Sequence, residues 1–568
     1  MGEHVIARRM RAVAMMPSSA RTTNKSRTLL QRLADRMVTR LLALPTPAGG
    51  YTVANDLPIP MRDGVMLLAD LYTPAGTVAG TLLVRSPYGW QLPLAALTGG
   101  VYASRGYRVL LARCRGTFGS GGTFEPMARE VEDAADTVAW MRQQSWFDGR
   151  FATFGGSYLG FTQWALLMDP PPELVTAVIS IAPHDFREAV YQGGAFNLVD
   201  FLGWADQVGH QEDPTARRVL NLATAGRRMS KAVRGLPVAD AGERLLAGRS
   251  LWYRDWVSRR NPADPMWLPM NLGEALNRVT VPVLLQSGWQ DVFLAQTLAQ
   301  YARLAGRGID VALTIGPWTH GEIVTRGGSL TVRETLGWFD EHLRASGIRT
   351  RSGRVKVFVT GAAHEWRDLS SWPPPTNDRA LYPEPGGGLG VEAAPAGSQA
   401  TFTYDPADPT PTLGGRILLG GGYTDDRPLA ARGDVLVFTG PVLAAPLEIL
   451  GHPVVELDHA SDNPHADLFV RLSEVDTAGS SRNVSDGFVR LSPATASGGI
   501  RLALDAVAHR FAAGKRVRLL VAGGCHPHWE RNLGTGGDPA TSHRLVPSHR
   551  TIKLASSRLL LPVGGGRE

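Results

Sequence analysis

Three residues suited to acyl-transfer chemistry occur in the order serine, carboxylate, histidine. They are Ser157 in "FATFGGSYLGFTQWALLMD", Asp291 in "VPVLLQSGWQDVF" and His320 in "DVALTIGPWTHGE". A serine hydroxyl is a poor nucleophile until an imidazole accepts its proton. A carboxylate orients that imidazole and stabilises its charged form. The resulting oxyanion needs hydrogen-bond donors. The backbone N–H of Tyr158, directly after the serine, supplies one, and the phenol of Tyr88 in "LLVRSPYGW" offers a second. Each residue also has a plainer reading. Ser157 fits a tight strand-to-helix turn, Asp291 a helix N-cap, His320 an ordinary loop and Tyr88 packing after a proline turn. Their joint placement favours chemistry, because Ser157, Asp291 and His320 each follow a strand-like run in the order that a nucleophile-elbow fold presents them. Such post-strand loops gather at the C-terminal edge of a parallel sheet, where ligands bind.

The elbow itself is unusual. Gly155 and Gly156 precede Ser157 and Gly160 follows three residues later, while Leu159 occupies the second glycine position of the common G-x-S-x-G pattern. The surrounding elements alternate. "GVMLLADLYTP", "GTLLVRSPYG", "GYRVLLARCRG", "GRFATFGGS", "LVTAVISIAP", "VPVLLQSGW" and "DVALTIGPW" read as strands. "AREVEDAADTVAWMRQQ" and the run after Ser157 read as helices. That alternation predicts a mostly parallel α/β sheet over 46–184 and 273–350. Between 185 and 272 the strand rhythm stops and a helical cap is expected. Over 351–568 short apolar runs separated by Gly, Pro, Asp and Asn predict an all-β jelly roll. Residues 1–45 read as a polar leader followed by a basic amphipathic helix in "TLLQRLADRMVTRLLALP", packed on the body.

Composition removes several function classes. The 568 residues are 43% hydrophobic and 20% charged, the profile of a globular protein of several domains. Fifty-nine basic residues face 52 acidic ones, without the dense basic stripe and interleaved aromatics of a nucleic-acid surface. No apolar stretch approaches the ~20 residues of a membrane span. "ARRMRAVAMMPSSA" has a twin-arginine look, but its apolar run is too short for a signal segment. A cytoplasmic location is therefore expected, with export as the lesser option. Two distant cysteines, Cys114 and Cys525, build neither a disulfide framework nor a zinc ribbon. The "CHPHWE" stretch (Cys525, His526, His528) lacks a fourth ligand at sensible spacing and reads as structural.

Taken together, "SPYGW", "RGYRVLLARCRGTFGSGGTF", "WFDGRFATFGGSYLGFTQW", "SGWQDVF" and "GPWTH" resemble the cocaine esterase / X-Pro dipeptidyl-peptidase family of α/β-hydrolase serine hydrolases. The likeness continues through "VKVFVTGAAHEWRDLSSWPPP", "YDPADPTPTLGG" and "WERNLGTGG", so it runs from about 50 to 560. In that family the elbow reads G-x-S-Y-x-G, which accounts for Leu159. The resemblance implies an α/β hydrolase, a helical cap and a C-terminal jelly roll, with Ser157, Asp291 and His320 as the triad. Tyr88 and the Tyr158 N–H take the oxyanion. It also implies that Tyr191 and Trp204, with Phe293 and Trp289, line an apolar acyl pocket; packing in the cap core is their plainer reading. Neither cofactor nor metal is called for.

Two departures stand out. Arg113 occupies a strand end where the family often carries an acid, with Asp133 and Asp136 as its candidate partners. Asp291 is followed by Val292, Phe293 and Leu294, so the loop lacks the extra carboxylates that hold a substrate ammonium; Asp200 or Asp206 of the cap would have to serve. The expected activity is hydrolysis of carboxylic esters with an apolar or aromatic acyl group through an acyl-enzyme. X-Pro dipeptide release or α-amino acid ester hydrolysis is the alternative, and a dead hydrolase that binds ligand is the remote one. The expected partner is a small ester or short peptide, not nucleic acid or a membrane. Homo-oligomerisation is left open.

Overall fold

The computed structural model describes residues 25–26, 29–89, 94–348 and 351–564. The twin-arginine-like leader lies outside the described residues. The amphipathic segment forms α1 (Leu29–Leu41), which buries Val38 and sets Asp35 against Tyr51.

Eight strands form the central sheet: β1 (Tyr51–Pro60), β2 (Met66–Pro74), β3 (Gly80–Ser86), β4 (Tyr107–Arg113), β5 (Phe151–Gly156), β6 (Leu174–Ser180), β7 (Val283–Gln290) and β8 (Val311–Thr319). Their spatial order is β1-β2-β4-β3-β5-β6-β7-β8, antiparallel over β1, β2 and β4 and parallel from β4 onward. The strands are near-continuous apolar runs because both faces are covered. Successive side chains divide between the two cores: Leu83, Leu110, Phe151 and Leu285 enter one, and Leu82, Leu111, Ala152 and Leu284 the other. On the first face lie α2 (Glu130–Met141) and α3 (Tyr158–Leu166). The buried residues of α3 circle the helix, as a helix enclosed by sheet and neighbours requires.

After β6 come α4 (Leu198–Gly209), α5 (Thr215–Val233), α6 (Val238–Leu246) and α7 (Tyr253–Ser258), the helical insertion, before the chain returns at β7. The C-terminal region is all β apart from one short helix, Arg427–Ala430. A four-stranded sheet, ordered Val435–Thr439, Arg516–Ala522, Asp467–Val475 and Ser481–Arg490, packs over a core with strands built around Ser548–Gly564. This is the expected architecture of an α/β hydrolase with helical cap and C-terminal β domain.

Strand Val355–Gly361 joins the two units. It runs parallel to β8 at one end and pairs with Val507–Phe511 of the C-terminal domain at the other. The cap is tied to the C-terminal domain through Glu530, fully buried, which takes Arg260 at 2.6 Å and Arg490 at 2.6 Å.

Asp200 makes a second tie. Its carboxylate accepts from Leu418 N–H and Asn197 Nδ2, both at 2.9 Å, yet burial raises its pKa to about 7. The folded protein thus holds the Asp200 proton more tightly than the unfolded chain, whose aspartate titrates near ~4. Ionisation therefore opposes folding, and this contribution to stability falls as pH rises from about 4 through about 7. Asp200→Asn should flatten that decline by up to about 1.4 kcal/mol per pH unit in denaturant titrations between pH 4 and 8. Parallel pH profiles for the two proteins would contradict it.

Candidate active site

Ser157 sits between β5 and α3 with φ 58° and ψ −124°, a conformation that non-glycine residues rarely adopt and that costs about 1–3 kcal/mol. The neighbouring backbone holds it there. Ser157 N–H donates to Ser180 O at 3.0 Å, and its carbonyl accepts from Gly160 and Phe161 N–H. The glycine spacing now has a steric reason. A Cβ on Gly155 (φ 147°) would lie 2.5 Å from Leu159 Cβ, and one on Gly160 would lie 2.3 Å from Ala182 Cβ. Gly155 therefore makes room for the Leu159 side chain, and Gly160 lets the helix pass close to Ala182.

Asp291 and His320 are hydrogen-bonded. His320 Nδ1 lies 2.7 Å from Asp291 Oδ1, and Ser287 donates to the other carboxylate oxygen at 2.8 Å. Asp291 is fully buried. It does not cap α8 (Leu294–Gly306), whose N-cap residue is Phe293 without a side-chain bond. Ser287 escaped the sequence reading, although its place four residues before Asp291 on the same strand end was the available signal. With Nδ1–H donated to Asp291, the basic nitrogen of His320 is Nε2. The ring of Phe293 meets His320 edge-on at 5.4 Å.

Tyr88 ends the turn after β3. Its oxygen accepts from Trp204 Nε1 at 3.0 Å, which leaves the phenol proton free to donate elsewhere. Burial pushes its pKa up to about 12, so the phenol is neutral and a donor near pH 7. The Trp204 ring stacks on Tyr158 at 6.3 Å and on Trp256 at 5.9 Å, with Trp252 at 5.3 Å. Trp252 and Trp256, four residues apart in "LWYRDWV", were the missed members of this aromatic wall.

Of the four aromatic pocket candidates, Trp204 and Phe293 adjoin Tyr88 and His320. Tyr191 and Trp289 do not. Tyr191 donates to Trp256 O at 2.7 Å and lies under the Arg187 and Arg260 guanidinium groups in the cap core. Trp289 donates to Phe358 O at 2.7 Å and packs on Trp372. Both rings are tied by their polar atoms to backbone carbonyls. Neither cap carboxylate is open to a ligand cation. Asp206 makes a two-pronged pair with Arg228 at 2.9 and 3.0 Å, and Asp200 is bonded as described above.

Arg113 departs from its expected partners. It pairs with Asp56 at 2.6 Å and Asp70 at 2.8 Å, because the antiparallel register of β2 and β4 places Asp70 opposite Leu111. Asp133 instead takes Arg115, and Asp136 takes Arg62. In the "CHPHWE" stretch, Cys525 contacts Thr412 Oγ1, and His528 stacks on Trp529 at 3.7 Å. A cavity of about 540 Å³ lined by Trp318, Thr319, Tyr423, Arg482 and His509 lies between β8 and the C-terminal domain, and neither Ser157 nor Tyr88 lines it.

The close crossing at Gly160 sets an expectation. Gly160→Ala should destabilise the protein by about 1–3 kcal/mol through overpacking against Ala182, read as a lowered melting temperature. An unchanged melting temperature would mean that the crossing has slack.

Comparison with known proteins finds relatives over most of the chain. Residues 63–322 match the model for X-Pro dipeptidyl-peptidase (S15 family), and residues 346–557 match the X-Pro dipeptidyl-peptidase C-terminal non-catalytic domain. The cocaine esterase of Rhodococcus sp. (strain MB1 Bresler) is 31% identical over 541 residues, covering 86% of this chain and 94% of that protein. Among solved structures, an α-amino acid ester hydrolase aligns with a TM-score of 0.78 at 21% identity, covering 97% of this chain and all of the other. An aminopeptidase from a marine-sediment Thaumarchaeota archaeon aligns with a TM-score of 0.76 at 22% identity, covering 92% and 98%. The chain therefore belongs to the cocaine esterase / X-Pro dipeptidyl-peptidase family of serine hydrolases.

Proposed function

We propose that this protein hydrolyses carboxylic esters with an apolar or aromatic acyl group, with Ser157 as nucleophile, His320 as base and Asp291 orienting His320. The observation that carries the reading is the strained Ser157 backbone on a sheet edge that also bears the Asp291–His320 hydrogen bond. The hydroxyl attacks the ester carbonyl and passes its proton to His320 Nε2. Asp291 and Ser287 hold the imidazolium side of the pair. The oxyanion is taken up by the Tyr158 N–H and the Tyr88 hydroxyl, whose oxygen Trp204 fixes from behind. His320 then returns the proton to the leaving alkoxide. Water, deprotonated by the same nitrogen, adds to the acyl carbonyl; the bond to Ser157 Oγ then breaks, Nε2 gives its proton back to that oxygen, and the acid leaves.

The acyl preference rests on the Trp204–Trp252 wall beside Tyr88, on the Phe293 ring against His320, and on the engagement of Asp200 and Asp206 by other partners. A substrate ammonium would meet an aromatic surface rather than a free carboxylate. The name of the relative at 31% identity, cocaine esterase, fits the same preference.

Chromogenic benzoyl and acyl esters assayed beside X-Pro-nitroanilides test both parts. Ser157→Ala should lower ester turnover on the order of 10⁴- to 10⁶-fold. Equal turnover by wild type and Ser157→Ala would remove the nucleophile assignment. Faster anilide than ester cleavage would replace the substrate class with X-Pro peptides. Tyr88→Phe should lower kcat about 10²- to 10³-fold with little change in KM; an unaltered kcat would take Tyr88 out of the oxyanion site.

A further inference from the structure

One buried carboxylate is bonded both to the Tyr158 side chain and to the strand end that leads into the Tyr88 turn. Glu130, the first residue of α2, is 5% exposed. Its Oε1 accepts from the Tyr158 phenol at 2.8 Å. Its Oε2 lies 2.9 Å from Arg85 Nη2, and its backbone carbonyl accepts from Arg85 Nη1 at 2.8 Å. Arg85 is the second-to-last residue of β3, and the turn that carries Tyr88 begins directly after that strand. There the Tyr88 N–H donates to Ser86 Oγ at 3.0 Å. The Tyr158 oxygen also accepts from Met127 N–H at 2.9 Å, so the phenol is committed as both donor and acceptor. Cys114 and Asp133, both buried, complete the surroundings at 3.7 Å from Glu130 Oε2 and 3.9 Å from Arg85.

We propose that Glu130 is a positioning residue for the oxyanion site, holding the Tyr158 N–H and the Tyr88 turn at a fixed separation through one carboxylate. The proposal rests on the reading of Ser157 as nucleophile. Donors to a developing oxyanion act through preorganisation, and a misplacement of about 1 Å can cost on the order of 10²-fold in rate. Here the two donors come from different segments, the start of α3 and the end of β3. Their spacing is set by the pairing of β3 with β5, by Thr162 Oγ1 lying 3.3 Å from Arg85 O, and by the route Tyr158 phenol–Glu130–Arg85, the one of the three that runs through a buried charge. Stability alone does not call for it, because a buried ion pair is often no more stabilising than well-packed apolar side chains of similar volume.

Tyr158→Phe cuts the link while keeping the backbone N–H, the ring and the Glu130–Arg85 pair. Glu130→Gln weakens the anchor itself. The readouts are kcat and KM on a chromogenic ester and the Kd of an arylboronic acid, whose tetrahedral serine adduct places an oxygen in the oxyanion site. Tyr158→Phe is expected to lower kcat about 10- to 100-fold with KM within about twofold, and to weaken boronate binding by the same factor. The double variant should fall no further than Glu130→Gln alone, since both changes sever one connection. Wild-type kcat and boronate affinity in Tyr158→Phe would overturn the proposal, as would additive losses in the double variant. If Glu130→Gln fails to fold, Tyr158→Phe decides alone. Ser157→Ala separates the two failures. Inert Ser157→Ala with unaffected Tyr158→Phe defeats only the positioning role, whereas active Ser157→Ala defeats the acyl-enzyme reading and this proposal with it.

Discussion

The backbone at Ser157 is held where an L-residue resists going, and much of the α/β domain is arranged to keep it there. Strand β5 delivers it, Ser180 anchors its N–H, and α3 must begin at once with almost no clearance against the end of β6. That crowding explains the small residues at 155 and 160. It also explains why the helix is buried on all sides, since a helix free to shift would let the turn relax. Strain of a few kcal/mol persists only where the surroundings over-determine it, and here the sheet, α2 and the cap together do so.

The opposite half of the proposed machinery is built without such strain. Asp291 and His320 stand on neighbouring parallel strands, β7 and β8, whose pairing sets their separation. Ser287 and the buried surroundings hold the carboxylate, and the Phe293 ring packs edge-on against the imidazole. One side of the site is thus rigid through backbone strain and the other through strand register. The cap meets the first side through Trp204, which bonds to Tyr88 and stacks on Tyr158.

How much of this was legible in the sequence depended on whether a feature is local. The strands, their alternation with helices, and the order Ser157, Asp291, His320 could be read because each lies in a contiguous run whose pattern reports its own conformation. The change to an all-β C-terminal region was readable for the same reason. Side-chain direction was not. Tyr191 and Trp289 lie in segments that pass near the site, but their polar atoms bond to carbonyls elsewhere, and nothing in the local pattern shows which way a ring turns. Proximity in the chain points Arg113 to Asp133 and Asp136, whereas antiparallel register brings Asp70 to it from more than forty residues away. The tie between Leu418 and Asp200 spans the chain from cap to C-terminal domain and has no local signature.

The strand Val355–Gly361 bears on solubility as well as on architecture. A parallel sheet of this width would otherwise end at β8, a long apolar strand with a row of free backbone donors and acceptors beside it, the kind of edge on which another chain can dock. The chain covers the middle of that edge, Leu313–Ile315, with Val355–Val357 and then adds Glu365–Leu369 in antiparallel pairing. This outermost strand is five residues long and reads "EWRDL", with Glu365, Arg367 and Asp368 among them. It offers a short and charged border, so the segment that joins the two domains also guards the hydrolase sheet against edge-to-edge association.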